Sequence, residues 1–230
     1  MNSAEGNIHL DDLLTKTDEL VEMARREYGI KLGTERKPVF DEKTYALYQG
    51  LRELGKNGTK EDKVRWAYEK AKLGYVNLDL AQFDGLDLSH VDFSGINLAG
   101  ASFNGCNLEW ANFSGTKCML TSFQDSNLHL ANMVGSLAIN ADFQKARITG
   151  ARFRESFFNY ADFSNATIEQ TDMSFCIFYG ARFTDAFVDQ TRFEYSIYHT
   201  EPLKKAQLKS GVFSLNEEQY ASLVSSGIAP

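Results

Sequence analysis

The 230-residue chain is short of the residues that interrupt or cross-link a fold: it has three prolines and three cysteines. So few prolines leave little irregular loop. Cys106, Cys118 and Cys176 are odd in number and lack CxxC spacing, which excludes a disulfide framework and a paired-cysteine zinc site. No run approaches the roughly 18 apolar residues that span a bilayer. Met1 to Gly6 has no basic, apolar, small-residue order of a secretory signal. The expected setting is cytoplasmic and away from membrane, and a secreted effector with a faint export signal stays open. P-loop, Rossmann glycine, HExxH and GxSxG motifs are all missing. No cofactor, metal or catalytic residue is therefore expected, and the chain is read as not an enzyme.

Basic charge is also scarce where it would matter. The first 75 residues hold 14 acidic and 14 basic side chains and the last 30 hold three of each, so the whole net charge of −7 falls between Tyr75 and Thr200. Arg147, Arg152 and Arg154 are the one small basic cluster there, too few for a phosphate-binding surface. Direct nucleic-acid binding is not expected.

What the chain has in quantity is phenylalanine, 17 residues of it, against a hydrophobic content of 43%. Every fifth residue from Leu78 to Phe213 is apolar, 28 positions without an insertion, and 13 of the phenylalanines occupy them. At that background, chance would give such a run with a probability on the order of 10⁻¹⁰. Two residues before each large residue stands a small one: Ala81, Ala111 and Ala161 precede Phe83, Phe113 and Phe163. A period of five suits neither helix nor ordinary strand, so the backbone must turn once per unit. With one unit per side of a square, the large and small residues point inward and the other three face water. Inward cysteines are then inert thiols, while His90, His129 and His199 lie outward on separate coils.

Units such as Ala81–Gly85, Val91–Gly95, Ile96–Gly100, Ala111–Gly115 and Ala141–Lys145 resemble the Ala-(Asp/Asn)-Leu-x-x pattern of the pentapeptide-repeat family. The resemblance implies a mainly β protein: a right-handed quadrilateral β-helix, four five-residue sides per coil. The 25 regular units from Val76 to Thr200 predict about six coils rising about 4.8 Å each, roughly 30 Å in all. Interior residues stack on their equivalents 20 positions away, and both ends need caps. Periodic residues such as Asp92, Asn112, Asn132 and Asp172 invite a glycosidase or calcium reading, but short polar side chains that bond turn backbone explain them better.

The flanks read as helices. Residues 1–75 form an N-terminal helical segment of about three. The first, over 8–28, carries the stripe Leu10, Leu13, Leu14, Val21, Ala24 and Tyr28. The second carries Leu47, Tyr48, Leu51 and Leu54 after an N-cap at Asp41. The third carries Val64, Ala67, Tyr68 and Ala71 after Thr59, with Gly74 ending it. The repeat domain runs over 76–213 and is regular to 200, where Glu201 and Pro202 break the pattern. Residues 214–230 are a short capping helix and tail, opened by the capping box Ser214-Leu215-Asn216-Glu217.

One side of the square differs from the rest. Outward positions around Leu98, Cys118, Ala138, Phe158, Phe178 and Tyr198 hold Met119, Leu120, Leu137, Ile139, Phe157, Tyr160, Ile177, Tyr179 and Ile197, with Phe175 and Tyr195 at the adjoining corner. The next side carries Gln82, Ser102, Ser122, Asp142, Asp162 and Arg182. An apolar column over about four coils exceeds what soluble monomers expose, so something should cover it. The N-terminal helices, a second copy through this face or the C-terminal helix, and another protein are the three candidates. The leading function is a non-enzymatic interaction module or scaffold with a protein partner. The alternative, implied by resemblance to the bacterial branch that protects DNA gyrase and topoisomerase IV from quinolones, is an acidic rod that mimics DNA.

Overall fold

The computed structural model describes residues 42–71 and 76–196, with the backbone alone of 207–208 and 211–212. The expected helix over 8–28, its linker, the N-cap at Asp41 and the C-terminal helix lie outside the described residues. Among the described residues two helices precede the repeats: α1 (Glu42–Asn57) and α2 (Lys60–Ala71).

From Val76 onward the chain coils with a period of 20. The residue before each central one bridges, always in parallel, to its equivalent one coil later: Asn77 to Asn97, Gln82 to Ser102, Asp87 to Asn107, Asp92 to Asn112. Sides 1 to 4 are accordingly the units beginning at 76, 81, 86 and 91 and every twentieth residue after. Most sides pair at one residue only, because the next three are spent on a turn. The pairing lengthens in β1 (Arg147–Thr149), β2 (Thr167–Glu169) and β3 (Phe187–Asp189), and in β4 (Thr191–Arg192). β5 (Gln207–Leu208) continues from β3 and β6 (Gly211–Val212) from β4, both in the 20-residue register. Coiling thus runs past Pro202, so the change of unit composition expected after residue 200 does not end the register.

Most corners are hydrogen-bonded turns. The small residue donates its N–H to the central carbonyl three residues before it, as Ala81 does to Leu78 at 3.2 Å and Ala101 to Leu98 at 2.9 Å. The residue between, two after the central one, has positive φ at every fifth position from Leu80 to Tyr195. That is the type II turn, whose third residue is left-handed. Eight of these positions are glycine and sixteen are not. Asn and Asp at the bridging position bond forwards into the same turn: Asp92 Oδ1 accepts from Ser94 N–H at 2.9 Å and Asn112 Oδ1 from Ser114 N–H at 3.1 Å. They also link coil to coil, Asn112 Nδ2 donating to Asp92 and Asn132 Nδ2 to Asn112. The repeat itself therefore employs these residues, as expected.

The interior is a stack of rings. Phe83, Phe103, Phe123, Phe143, Phe163 and Phe183 on side 2 form one unbroken column with centroids 4.7–5.4 Å apart. Side 4, opposite, meets it edge-on, as at Phe103 and Phe113 (5.6 Å, 89°). Among the described residues twelve phenylalanines are fully buried. Small inward residues close the corners and satisfy stray carbonyls. Thr121 Oγ1 donates to Leu98 O and Ser156 Oγ to Met133 O.

The first coil leaves a face of rings and a row of unpaired backbone groups, which α1 and α2 cover. Tyr48 packs edge-on against Phe83 and donates its hydroxyl to Gln82 O, which Arg52 also reaches. Asp87 N–H donates to Gly55 O at 3.1 Å, and a side chain on Gly55 would meet Leu86 and Leu88 at 3.0 Å. On α2, Trp66 Nε1 donates to Asp92 O. Lys63, 3% exposed, reaches Asp87 Oδ2 at 2.7 Å. Thr59 caps α2 reciprocally with Asp62, Oγ1 accepting from Asp62 N–H and Oδ2 from Thr59 N–H. The stripe expected on this helix did not include Lys63 or Trp66. A coil end presents carbonyls and a carboxylate as well as rings, so polar side chains can face it. In the contacts described, α1 and α2 therefore act as an end cap.

Candidate interaction surface

On side 1 the outward residues come in three columns, and their burial differs sharply. In the column just after the centre, Ala99 and Ile139 are 0% exposed and Met119 is 3%. The sequence predicts that this column is covered, and these three residues are buried. Ile177, before the centre of its unit, is buried too. Leu120, Leu137, Phe157, Tyr160 and Tyr179 are half-buried. Leu120, Phe157 and Tyr160 pack around the cluster of Ala99, Met119 and Ile139. Ile197 lies outside the described residues.

What remains open is the corner between sides 4 and 1 at the C-terminal end of the rod. Phe175 is 45% exposed and Tyr195 66%. Each follows its central residue by two and so has positive φ, 60° and 56°. That corner conformation throws the side chain outward, one coil above the other, and the rings stack at 5.0 Å and 21°. Arg154 places its guanidinium 5.2 Å from the Phe175 centroid while pairing with Asp172 at 3.5 Å. The surface is thus two stacked rings with a cation over one face. Such a group offers large apolar area at little entropy cost and a polar edge, the makeup of an anchor for another protein. Arg152 and Arg154 share side 4 with it, whereas Arg147 is on side 3.

A second exposed ring, Trp110 at 52%, stacks on His90 at 6.3 Å and 7° across the corner of sides 3 and 4. Burial, aided by Lys60, lowers the His90 pKa. Trp110 was not singled out from the sequence, although a tryptophan at an outward corner position was the available signal. No chemistry gathers elsewhere among the described residues. Burial pushes Cys106, Cys118 and Cys176 up to about 12, so none is thiolate. No group of three His, Cys, Asp or Glu among them could hold a metal. No helix among them is long and apolar enough to cross a membrane.

Compared with known proteins, the chain matches the family model "Pentapeptide repeats" in eight copies over residues 69–98, 81–117, 116–154 and 156–194. No curated protein matches it significantly. Among solved structures it is similar to a trypsin-treated variant of QnrB1, a plasmid-mediated fluoroquinolone resistance protein (18% identity over 67% of this chain and 88% of that one, TM-score 0.34). It is also similar to a pentapeptide repeat protein from the Arabidopsis thaliana thylakoid lumen (24%, 63% and 88%, TM-score 0.23). A third likeness is to HetL from the cyanobacterium Nostoc, involved in regulating heterocyst differentiation (15%, 56% and 68%, TM-score 0.20). Overlaps this low carry no argument about role.

Proposed function

The chain belongs to the pentapeptide repeat family, and on that premise we propose that it is a non-enzymatic interaction module that docks a protein partner at the corner of Phe175 and Tyr195. The exposed ring stack carries this reading. Among the described residues the rest of the apolar set is buried or half-buried, while these two rings are exposed. Partner-facing aromatics of this kind account for most of the affinity in many interfaces. The reading predicts that Phe175→Ser with Tyr195→Ser leaves the rod folded and weakens a captured partner by about 2 kcal/mol, roughly 30-fold in Kd. Capture by the full chain from its native host, then titration with the purified partner, measures this. Equal affinity for wild type and double variant, or equal loss with Trp110→Ser, would remove the corner from the function.

A second reading, the DNA mimic that binds gyrase, draws on the 14 acidic against seven basic residues from Val76 to Thr200. The carboxylates weigh against it. Asp92, Asp142, Asp162 and Asp172 each accept from a turn N–H, and Arg182 and Arg154 pair with Asp162 and Asp172. A supercoiling assay with quinolone tests it: neither protection nor inhibition of gyrase removes the mimic.

A further inference from the structure

Basic charge is concentrated at one level of the rod. Coil four, residues 136–155, holds Lys145, Arg147, Arg152 and Arg154 against Asp142 and Glu155, whereas in each of the other coils from 76 to 195 acidic residues equal or outnumber basic ones. Asp142 accepts from Gln144 N–H and from the Gln124 amide, and Arg154 lies beside Glu155 and Asp172. Lys145, Arg147 and Arg152 are exposed, and none of them forms an ion pair among the described residues. Two of these cations break the rule of the repeat. The bridging column of side 3 runs Asp87, Asn107, Asn127, Arg147, and that of side 4 runs Asp92, Asn112, Asn132, Arg152. Through coil three every member accepts from the N–H two residues on, as Asn127 does from His129 and Asn132 from Val134. An arginine side chain only donates, so both columns give up that bond at the same coil. No described residue takes the two guanidinia in return. A local rule broken twice at one level without structural gain marks a functional position.

Between the two arginines the corner of sides 3 and 4 is bare. Its column is His90, Trp110, Leu130 and Gly150, all with positive φ. A methyl on Gly150 would lie 2.9 Å from Leu130 Cδ2, so the leucine leans over the glycine. Trp110, 52% exposed, stands one coil before Leu130. An apolar ridge therefore leads from Trp110 to a gap flanked by Arg147 and Arg152. We propose that this corner docks an acidic segment of a partner protein, with an apolar side chain beside Trp110 and Leu130 and a carboxylate between Arg147 and Arg152. Two coils separate Trp110 from the arginines, about 10 Å, which an extended peptide covers in about three residues. The two oxygens of a carboxylate match the fork of a guanidinium. Charge also selects a short acidic segment over a nucleic acid. Coil five carries Asp162, Glu169 and Asp172 and no basic residue, so a phosphate backbone running on past coil four would meet like charge. The site lies on the opposite edge of side 4 from Phe175 and Tyr195 and is independent of the reading given for that corner.

A random peptide library panned on the immobilised full chain supplies the probe. The enriched sequences are expected to place Asp or Glu about three residues from Trp, Phe or Leu. An enriched peptide carrying a fluorophore is then titrated by anisotropy. Arg147→Gln with Arg152→Gln should weaken it roughly tenfold or more, as should Trp110→Ser, with the far-UV spectrum unchanged. Lys117→Gln, an exposed cation on side 1, should bind as the wild type does, and so should Phe175→Ser with Tyr195→Ser. A library that returns no excess of acidic sequences overturns the inference. So does an acidic peptide whose affinity is equal for the wild type and the double arginine variant. A short DNA duplex that binds more tightly than the peptide through the same two arginines overturns it in favour of nucleic acid. Failure here leaves the Phe175 and Tyr195 corner untouched, and loss of partner binding there leaves this site untouched.

Discussion

The position two after each central residue sets the local energetics of this rod. Left-handed backbone costs a residue with a Cβ about 1–2 kcal/mol, and sixteen of these positions carry one. The cost is tolerated because every corner is held by ladder bonds above and below. Replacing Lys145, exposed with φ 58°, by glycine should therefore raise stability by about 0.5–1 kcal/mol in chemical denaturation. Gly115→Ala is the converse: the added methyl meets nothing within 4 Å, so its expected loss of about 1 kcal/mol is backbone strain alone. Gly180→Ala should cost more, because its methyl would fall 2.5 Å from the Tyr160 ring. If Gly180→Ala and Gly115→Ala cost the same, the Tyr160 ring yields freely. This residue-scale rule was not legible from the five-residue pattern, which marks that position as merely outward. Its glycines were visible, but leucine, tyrosine and tryptophan in the same slot gave no sign of a left-handed turn.

At the scale of elements, the cap is where charge enters the fold. Lys63 of α2 is buried against Asp87, whose own side chain is half-exposed. Burial works against ionisation of Asp87, yet hydrogen bonds from Lys63 and Ser89 outweigh it and hold the carboxyl below its usual range. The two partners are therefore unequal. Asp87→Asn strands a buried ammonium and should cost about 3–5 kcal/mol, whereas Lys63→Met leaves a carboxylate that water can reach and should cost clearly less. The pH dependence has a definite sign. A depressed folded pKa contributes stability that is present above the unfolded value and lost as pH falls through the folded one. The gap between wild type and Asp87→Asn should thus be widest near neutrality and close from about pH 4 downward in urea melts. A gap that persists unchanged into acid would mean the pair is not ionic. The sequence stripe located α1 and α2 and the N-cap of α2. It missed Lys63 and Trp66 because helical periodicity marks apolar faces, and a coil end is partly carbonyl and carboxylate.

For the whole molecule, coil-to-coil stacking makes stability a matter of neighbours. Phe143 stacks on Phe123 and Phe163 and touches Phe153 and Phe158, so it joins coils three to five. Phe143→Ala should cost about 4 kcal/mol and separate the unfolding of the two ends, seen as a broadened urea transition. A small loss with a single sharp transition would mean the stack collapses into the cavity. The linear pattern alone determined the period of five, the inward phenylalanines, the stacking interval of 20 and the apolar side, because each is a relation between residues at constant spacing in one repeated conformation. Tertiary structure decided which outward residues stay outward. Met119 and Phe175 read alike as apolar positions on or beside one face, yet one is buried and the other stands in water. Exposure at a given register depends on what other parts of the chain lie across it, and no periodicity encodes that.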